Sequence, residues 1–118
     1  MECSMFIGKY QPFHRGHKTL IDSVLKEGKN VVLAIRDTSL SEKDPYTVEQ
    51  RIGMIQDIYP DAVVYPMQGR IMIVAIPDVL EVCYGRQVGW GIRQIKLNEE
   101  IENISATKIG AQMKLESE

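Results

Sequence analysis

The chain has 118 residues, of which 44% are hydrophobic and 25% charged, and its formal net charge is −2. That length suits one domain able to bury roughly two-thirds of its unfolded surface. The slight acidic excess excludes a general nucleic-acid binder, which carries a basic face. No run approaches the roughly 20 apolar residues of a membrane span, and no basic-then-apolar leader opens the chain, so a cytoplasmic protein is expected. Cys3 and Cys83 lie in apolar runs without a Cys-x-x-Cys spacing, which predicts buried, reduced thiols and neither a disulfide nor a metal site.

Cys3 to Ile7 reads as a strand. The stretch that follows, Gly8-Lys9-Tyr10-Gln11-Pro12-Phe13-His14-Arg15-Gly16-His17, contains both histidines of the protein. Leu20, Ile21, Val24 and Leu25 then recur at helical spacing, which predicts a helix from Gly16 or His17 to Glu27 with Gly28 as its left-handed stop. A helix N-terminus offers unpaired N–H groups and partial positive charge, which suit a phosphate. Two imidazoles would add donors toward the same anion, and Gly16 would let the backbone approach it.

Val31-Val32-Leu33-Ala34-Ile35 is a β-branched apolar run of the kind buried on both faces of a parallel sheet. It ends on Arg36-Asp37, and a polar loop from Thr38 to Pro45 follows. Thr47 with Gln50 predicts a capping box for a second helix bearing Val48, Ile52, Ile55 and Tyr59. Ala62 to Tyr65 reads as a short strand or a connecting excursion. Ile71 to Ile76 is a buried strand stopped by Pro77-Asp78, and Val79 to Tyr84 predicts another that ends on Gly85-Arg86.

Val88, Ile92 and Ile95 would share a helical face, although Gly89 and Gly91 interrupt it, and Trp90 is expected to pack in the core. Ser105 can cap a short C-terminal helix. With the Thr107 hydroxyl and nearby N–H groups it would make a second anion cradle, although on this motif alone the capped helix is the better reading.

This order of elements predicts a single α/β domain over residues 1–118, with a Rossmann-like, mostly parallel sheet and helices on both faces. Ligands of such sheets bind outside the carboxyl ends of the strands, which here carry Gly8-Lys9, Arg36-Asp37, Asp78 and Gly85-Arg86. The chain has no Gly-x-Gly-x-x-Gly for a dinucleotide and no Gly-Lys-Ser/Thr of a P-loop.

On these residues the chain resembles a known family. His14-Arg15-Gly16-His17 is similar to the HxGH signature of the nucleotidyltransferase superfamily of adenylyl- and cytidylyltransferases, and the longer Gly8–His17 string resembles its nicotinamide-nucleotide adenylyltransferase form. Asp44-Pro45-Tyr46-Thr47-Val48-Glu49-Gln50-Arg51-Ile52 and Ile76-Pro77-Asp78 resemble segments of the archaeal type. Ile104-Ser105-Ala106-Thr107-Lys108-Ile109 is similar to the second signature, which holds the β- and γ-phosphates. Ala106 departs from it in lacking a hydroxyl. Gly110 stands where the family usually has an arginine, which removes a charged phosphate clamp. A minimal domain is expected, without the extended C-terminal region that some relatives carry for the acceptor.

The resemblance implies nucleotidyl transfer, in which an acceptor phosphate attacks the α-phosphorus of an NTP in line and pyrophosphate leaves. Positioning and charge neutralisation carry such chemistry, without a protein nucleophile. His14, His17 and Lys9 are the implied catalytic residues. Gly8, Tyr10, Gly16, Gly85, Arg86, Ser105, Thr107 and Lys108 are the implied nucleotide contacts, and Arg36 and Asp78 the implied acceptor contacts. Mg²⁺ is implied as a cofactor bound through the triphosphate, with no dedicated protein ligands. The implied partners are ATP, or CTP, and a small phosphorylated acceptor such as nicotinamide mononucleotide, with no nucleic acid or membrane; homo-oligomerisation is left open. The alternatives are a cytidylyltransferase using a sugar or polyol phosphate, and a non-catalytic nucleotide-binding module.

Overall fold

A computed structural model describes residues 2–86 and 89–95 of the chain. Four strands and two helices alternate as β1 (Cys3–Gly8), α1 (Arg15–Leu25), β2 (Asn30–Asp37), α2 (Val48–Ile58), β3 (Val63–Val64) and β4 (Ile71–Pro77). All neighbouring strands pair in parallel, in the order β1-β2-β4-β3. The registers Gly8↔Ile35 and Ile35↔Ala75 put the ends of β1, β2 and β4 in one row. That shared edge is where the site lies.

The apolar patterns explain why the layers form. Val31, Leu33 and Ile35 of β2 join Ile71 and Ile73 of β4 in one buried cluster with Ile21 and Val24 of α1 and Ile55 of α2. Each such side chain contributes roughly 1.5–3 kcal/mol on burial. Both helices reach this one cluster, and the Tyr59 hydroxyl just after α2 bonds Asp22 Oδ1 at 2.7 Å on α1. The described residues therefore supply the helices of one face of the sheet, where helices on both faces were expected.

The capping box at Thr47 forms as expected: Gln50 N–H donates to Thr47 Oγ1 at 3.1 Å, and Thr47 N–H to Gln50 Oε1 at 2.8 Å. The first helix begins earlier than its apolar spacing suggests and ends at Leu25, because His14 serves as its cap. Gly28 is left-handed (φ 81°) after it, as read.

Four expectations fail. Val79 to Tyr84 forms no strand; Leu80 is 95% exposed, and an apolar run without a ladder partner cannot satisfy its backbone as a strand. Trp90 is 79% exposed and lies outside the core. Residues 89–95 are irregular, with Gly89 left-handed (φ 85°) where a helix would need φ near −63°. Cys3 and Cys83 are free but exposed, Cys3 because it opens an edge strand and Cys83 because its segment stays unpaired. The predicted cap at Ser105 lies outside the described residues. None of the described helices is long and apolar enough to cross a membrane.

Candidate active site

The turn from β1 into α1 is built from rings. Tyr10 sits at φ 54°, a left-handed conformation that costs a non-glycine residue of order 1–3 kcal/mol. It is held there by packing, since its buried ring meets Phe13 edge-on at 5.6 Å and His17 edge-on at 4.8 Å. The same ring explains Gly8, where a Cβ would stand 3.2 Å from two atoms of Tyr10. Tyr10, expected as a nucleotide contact, is thus buried under the loop, where it shapes the turn.

His14 and His17 cap the helix reciprocally. Gly16 N–H donates to His14 Nδ1 at 3.0 Å, and His14 N–H donates to His17 Nδ1 at 3.1 Å. Each Nδ1 is therefore an acceptor, which puts the proton of each neutral ring on Nε2. The two rings lie 3.8 Å apart, and Phe13 stacks on the far side of His17 at 5.3 Å. Burial first, and the neighbouring His14 second, hold the His17 pKa well below its ordinary 6.5. Neutral imidazoles with Nε2–H donors stand beside a helix N-terminus whose first turn contains no acidic residue. Such a set can donate to a phosphate without exchanging protons with it.

The depressed His17 pKa has a consequence for stability. The unfolded chain takes up the His17 proton near pH 6.5 and the folded chain does not, so stability is full above that pH and falls as the solution is acidified. The loss grows as the pH is taken further below 6.5. Urea midpoints at pH 7.5, 6 and 5 measure it, and His17→Asn is expected to flatten that part of the profile.

A second loop is fastened over the first. The Gln11 side chain acts as a piece of β-ladder: its Nε2 donates to Tyr46 O at 2.9 Å, and Tyr46 N–H donates to its Oε1 at 2.9 Å. Lys9 Nζ lies 3.8 Å from Asp44 Oδ2. Arg51 of α2, wholly buried, donates to the backbone carbonyls of Lys9 and Arg36. Arg36 and Asp78, both expected at the acceptor, are brought together: Arg36 Nε and Nη2 reach Asp78 Oδ1 at 3.0 and 2.7 Å. Beside them an open cleft of about 420 Å³ is lined by Asp37, Thr38, Leu40, Thr47, Val48, Glu49 and Ala75.

The structure thus unites Gly8, Lys9, Tyr10, His14, Gly16 and His17 in one turn. Gly85 and Arg86 are exposed in the irregular segment after β4, outside this cluster. Ser105, Thr107 and Lys108 lie outside the described residues. Gln11, Asp44 and Arg51 are structural members of the site that carried no expected role. Arg51 had a signal, since it falls on the apolar stripe Val48, Ile52, Ile55 of α2, where a charge has to be buried. Among the described residues no group of three or more His, Cys, Asp or Glu could hold a metal ion.

A parallel sheet whose first turn brings two adjacent imidazoles to the N-terminus of a helix, beside its strand ends, defines an α/β domain. Residues 5–74, more than half of the chain, match the cytidylyltransferase-like family, and the chain belongs to it. It is similar to nicotinamide-nucleotide adenylyltransferases of Methanospirillum hungatei (28% identical over 71 residues, 55% of this chain and 41% of that one). Those of Caldivirga maquilingensis (34% over 77 residues; 64% and 42%) and Pyrobaculum neutrophilum (35% over 81 residues; 67% and 44%) are similar too. The chain spans less than half the length of each of these relatives.

Proposed function

We propose that the protein is a nucleotidyltransferase that moves the adenylyl group of ATP onto nicotinamide mononucleotide and releases pyrophosphate. The observation that carries this reading is the pair of Nε2–H imidazoles, 3.8 Å apart at the first turn of α1. Their donors suit the α-phosphate, whose oxygens gain charge as the acceptor attacks. Lys9 neutralises the leaving pyrophosphate, and Ser105, Thr107 and Lys108 of the second motif hold its far end. Gly85 and Arg86, which lie outside the histidine turn, are nucleotide contacts in this reading on the family resemblance alone. The similarity to named adenylyltransferases supports ATP and nicotinamide mononucleotide over CTP and a polyol phosphate.

The cleft beside Arg36 and Asp78 is the acceptor's place in this reading. Its two carboxylates, Asp37 and Glu49, favour the cationic pyridinium of nicotinamide over a neutral sugar. The donor-rich, carboxylate-poor His turn fits Mg²⁺ that is held through triphosphate oxygens. Bound there, the ion would supply charge neutralisation of the phosphates. We place the activity in the cytoplasm.

A pyrophosphate-release screen of four NTPs against nicotinamide mononucleotide and a panel of sugar and polyol phosphates tests the reading. Release above background only with ATP and nicotinamide mononucleotide is expected. Release only with CTP and a polyol phosphate would replace the reading with the cytidylyltransferase one, and binding without release by any pair would leave a nucleotide-binding module.

A further inference from the structure

We infer that Arg51 is a positioning residue of this site: its guanidinium fixes Lys9 and the histidine turn relative to Arg36. The inference takes its kinetic readout from the adenylyl-transfer reading. Nη1 donates to the Lys9 carbonyl at 2.7 Å and to the Arg36 carbonyl at 2.8 Å, and Nε donates to the Thr47 carbonyl at 3.1 Å. The three acceptors come from the end of β1, the end of β2 and the cap of α2.

Lys9 and Arg36 each stand one residue beyond the last Gly8↔Ile35 rung of the β1–β2 ladder, so β1 and β2 are no longer joined there by their own rungs, while Arg36 still pairs with Ile76 of β4. Arg51 continues the fastening past that point. Its side chain is 0% exposed, and a buried cation is a poor source of stability compared with an apolar residue in the same space. What a planar guanidinium supplies is several donors in one fixed geometry, which a lysine ammonium cannot reproduce. It holds three chain segments in register at the edge where Lys9 and the two imidazoles must meet one polyanion. A shift of the Lys9 carbonyl would carry with it both the Lys9 side chain and the turn that aims His14 and His17.

The test uses Arg51→Lys and Arg51→Gln in the full chain, with thermal melts, Mg·ATP calorimetry and single-turnover transfer measured well below each melting midpoint. Arg51→Lys is expected to fold and to bind Mg·ATP within about threefold of wild type per folded molecule. It should transfer about 10²-fold more slowly, the scale of an ångström of misplacement. Arg51→Gln should be no better. A wild-type rate per folded molecule in Arg51→Lys would overturn the inference, since a merely structural role predicts only a smaller folded fraction. If wild type binds Mg·ATP but transfers nothing, the adenylyl-transfer reading fails on its own. The Arg51 assignment is then decided by nitrogen-15 NMR of wild type, as it is if neither variant folds. Slowing of Arg51 Nε–H exchange by about tenfold or more on adding Mg·ATP supports it, and unchanged exchange overturns it.

Discussion

His17→Asn is expected to slow adenylyl transfer by about 10²–10³ while the fold survives, the usual cost of losing one preorganised donor to a developing oxyanion. The proposed reaction gives His17 two jobs on two different atoms. Its Nδ1 accepts the His14 N–H at 3.1 Å and so closes the reciprocal cap of α1. Its Nε2–H is the atom that the proposed reaction would use as the donor to the phosphate. Asparagine keeps a short side-chain acceptor for the cap and provides nothing at the reach of Nε2. His17→Ala removes both, and is expected to add a stability loss of about 1 kcal/mol.

The ring also fills space against Tyr10, Phe13 and His14, so melts must accompany the rates. Single-turnover rates on folded protein separate the two jobs. Because the donor is worth more in the transition state than in the ground state, Mg·ATP affinity should change far less than the rate. Wild-type turnover by folded His17→Asn would reduce the residue to a cap.

Lys9→Ala should be the next most damaging change at the site. Its ammonium is placed 3.8 Å from Asp44 and within the turn that leads to His14. In the proposed reaction a cation there would exchange a carboxylate partner for phosphate oxygens as pyrophosphate leaves. A charge-assisted hydrogen bond of this kind contributes roughly 1.5–3 kcal/mol, which converts to a rate loss of roughly tenfold to 150-fold.

The alanine variant also leaves Asp44, itself buried, without this cation. The double variant Lys9→Ala, Asp44→Asn controls for that. It should recover the thermal stability lost by the single variant while recovering none of the transfer rate. Recovery of rate along with stability would mean that Lys9 serves the loop and not the phosphates.

Much of this architecture is legible in the residues because it rests on local pattern. Val31 to Ile35 announces a buried parallel strand, Ile71 to Ile76 a parallel strand that proves buried only over Ile71, Met72 and Ile73, and Thr47 with Gln50 a cap, since these signals are properties of a few consecutive residues. The histidine turn is legible for the same reason, as its reciprocal capping groups come from one decapeptide. What local pattern misses is contact across the chain. Gln11 meets Tyr46, 35 residues away, and Arg51 meets Lys9, 42 residues away. Arg36 meets Asp78 at the same separation of 42.

Val79 to Tyr84 shows the converse error. Its composition matches a strand, but a strand exists only with a neighbour to complete its hydrogen bonds, and composition contains no information about neighbours. Trp90 fails similarly, because an aromatic is buried only where the fold provides a surface to receive it.

In the proposed reaction two neutral imidazoles offer Nε2–H donors to the nucleotide. Nitrogen-15 NMR of the two histidine side chains, recorded at pH 7.5 with and without Mg·ATP, tests it most directly. The protein contains only these two histidines, so the signals are few. The account predicts Nε2-protonated neutral rings in the free protein, with Nδ1 unprotonated as the cap bonds at 3.0 and 3.1 Å require. On saturation with Mg·ATP both Nε2–H signals should shift and exchange more slowly with water, while the tautomer is kept. Spectra unchanged by saturating Mg·ATP, or rings protonated at both nitrogens, would contradict the account.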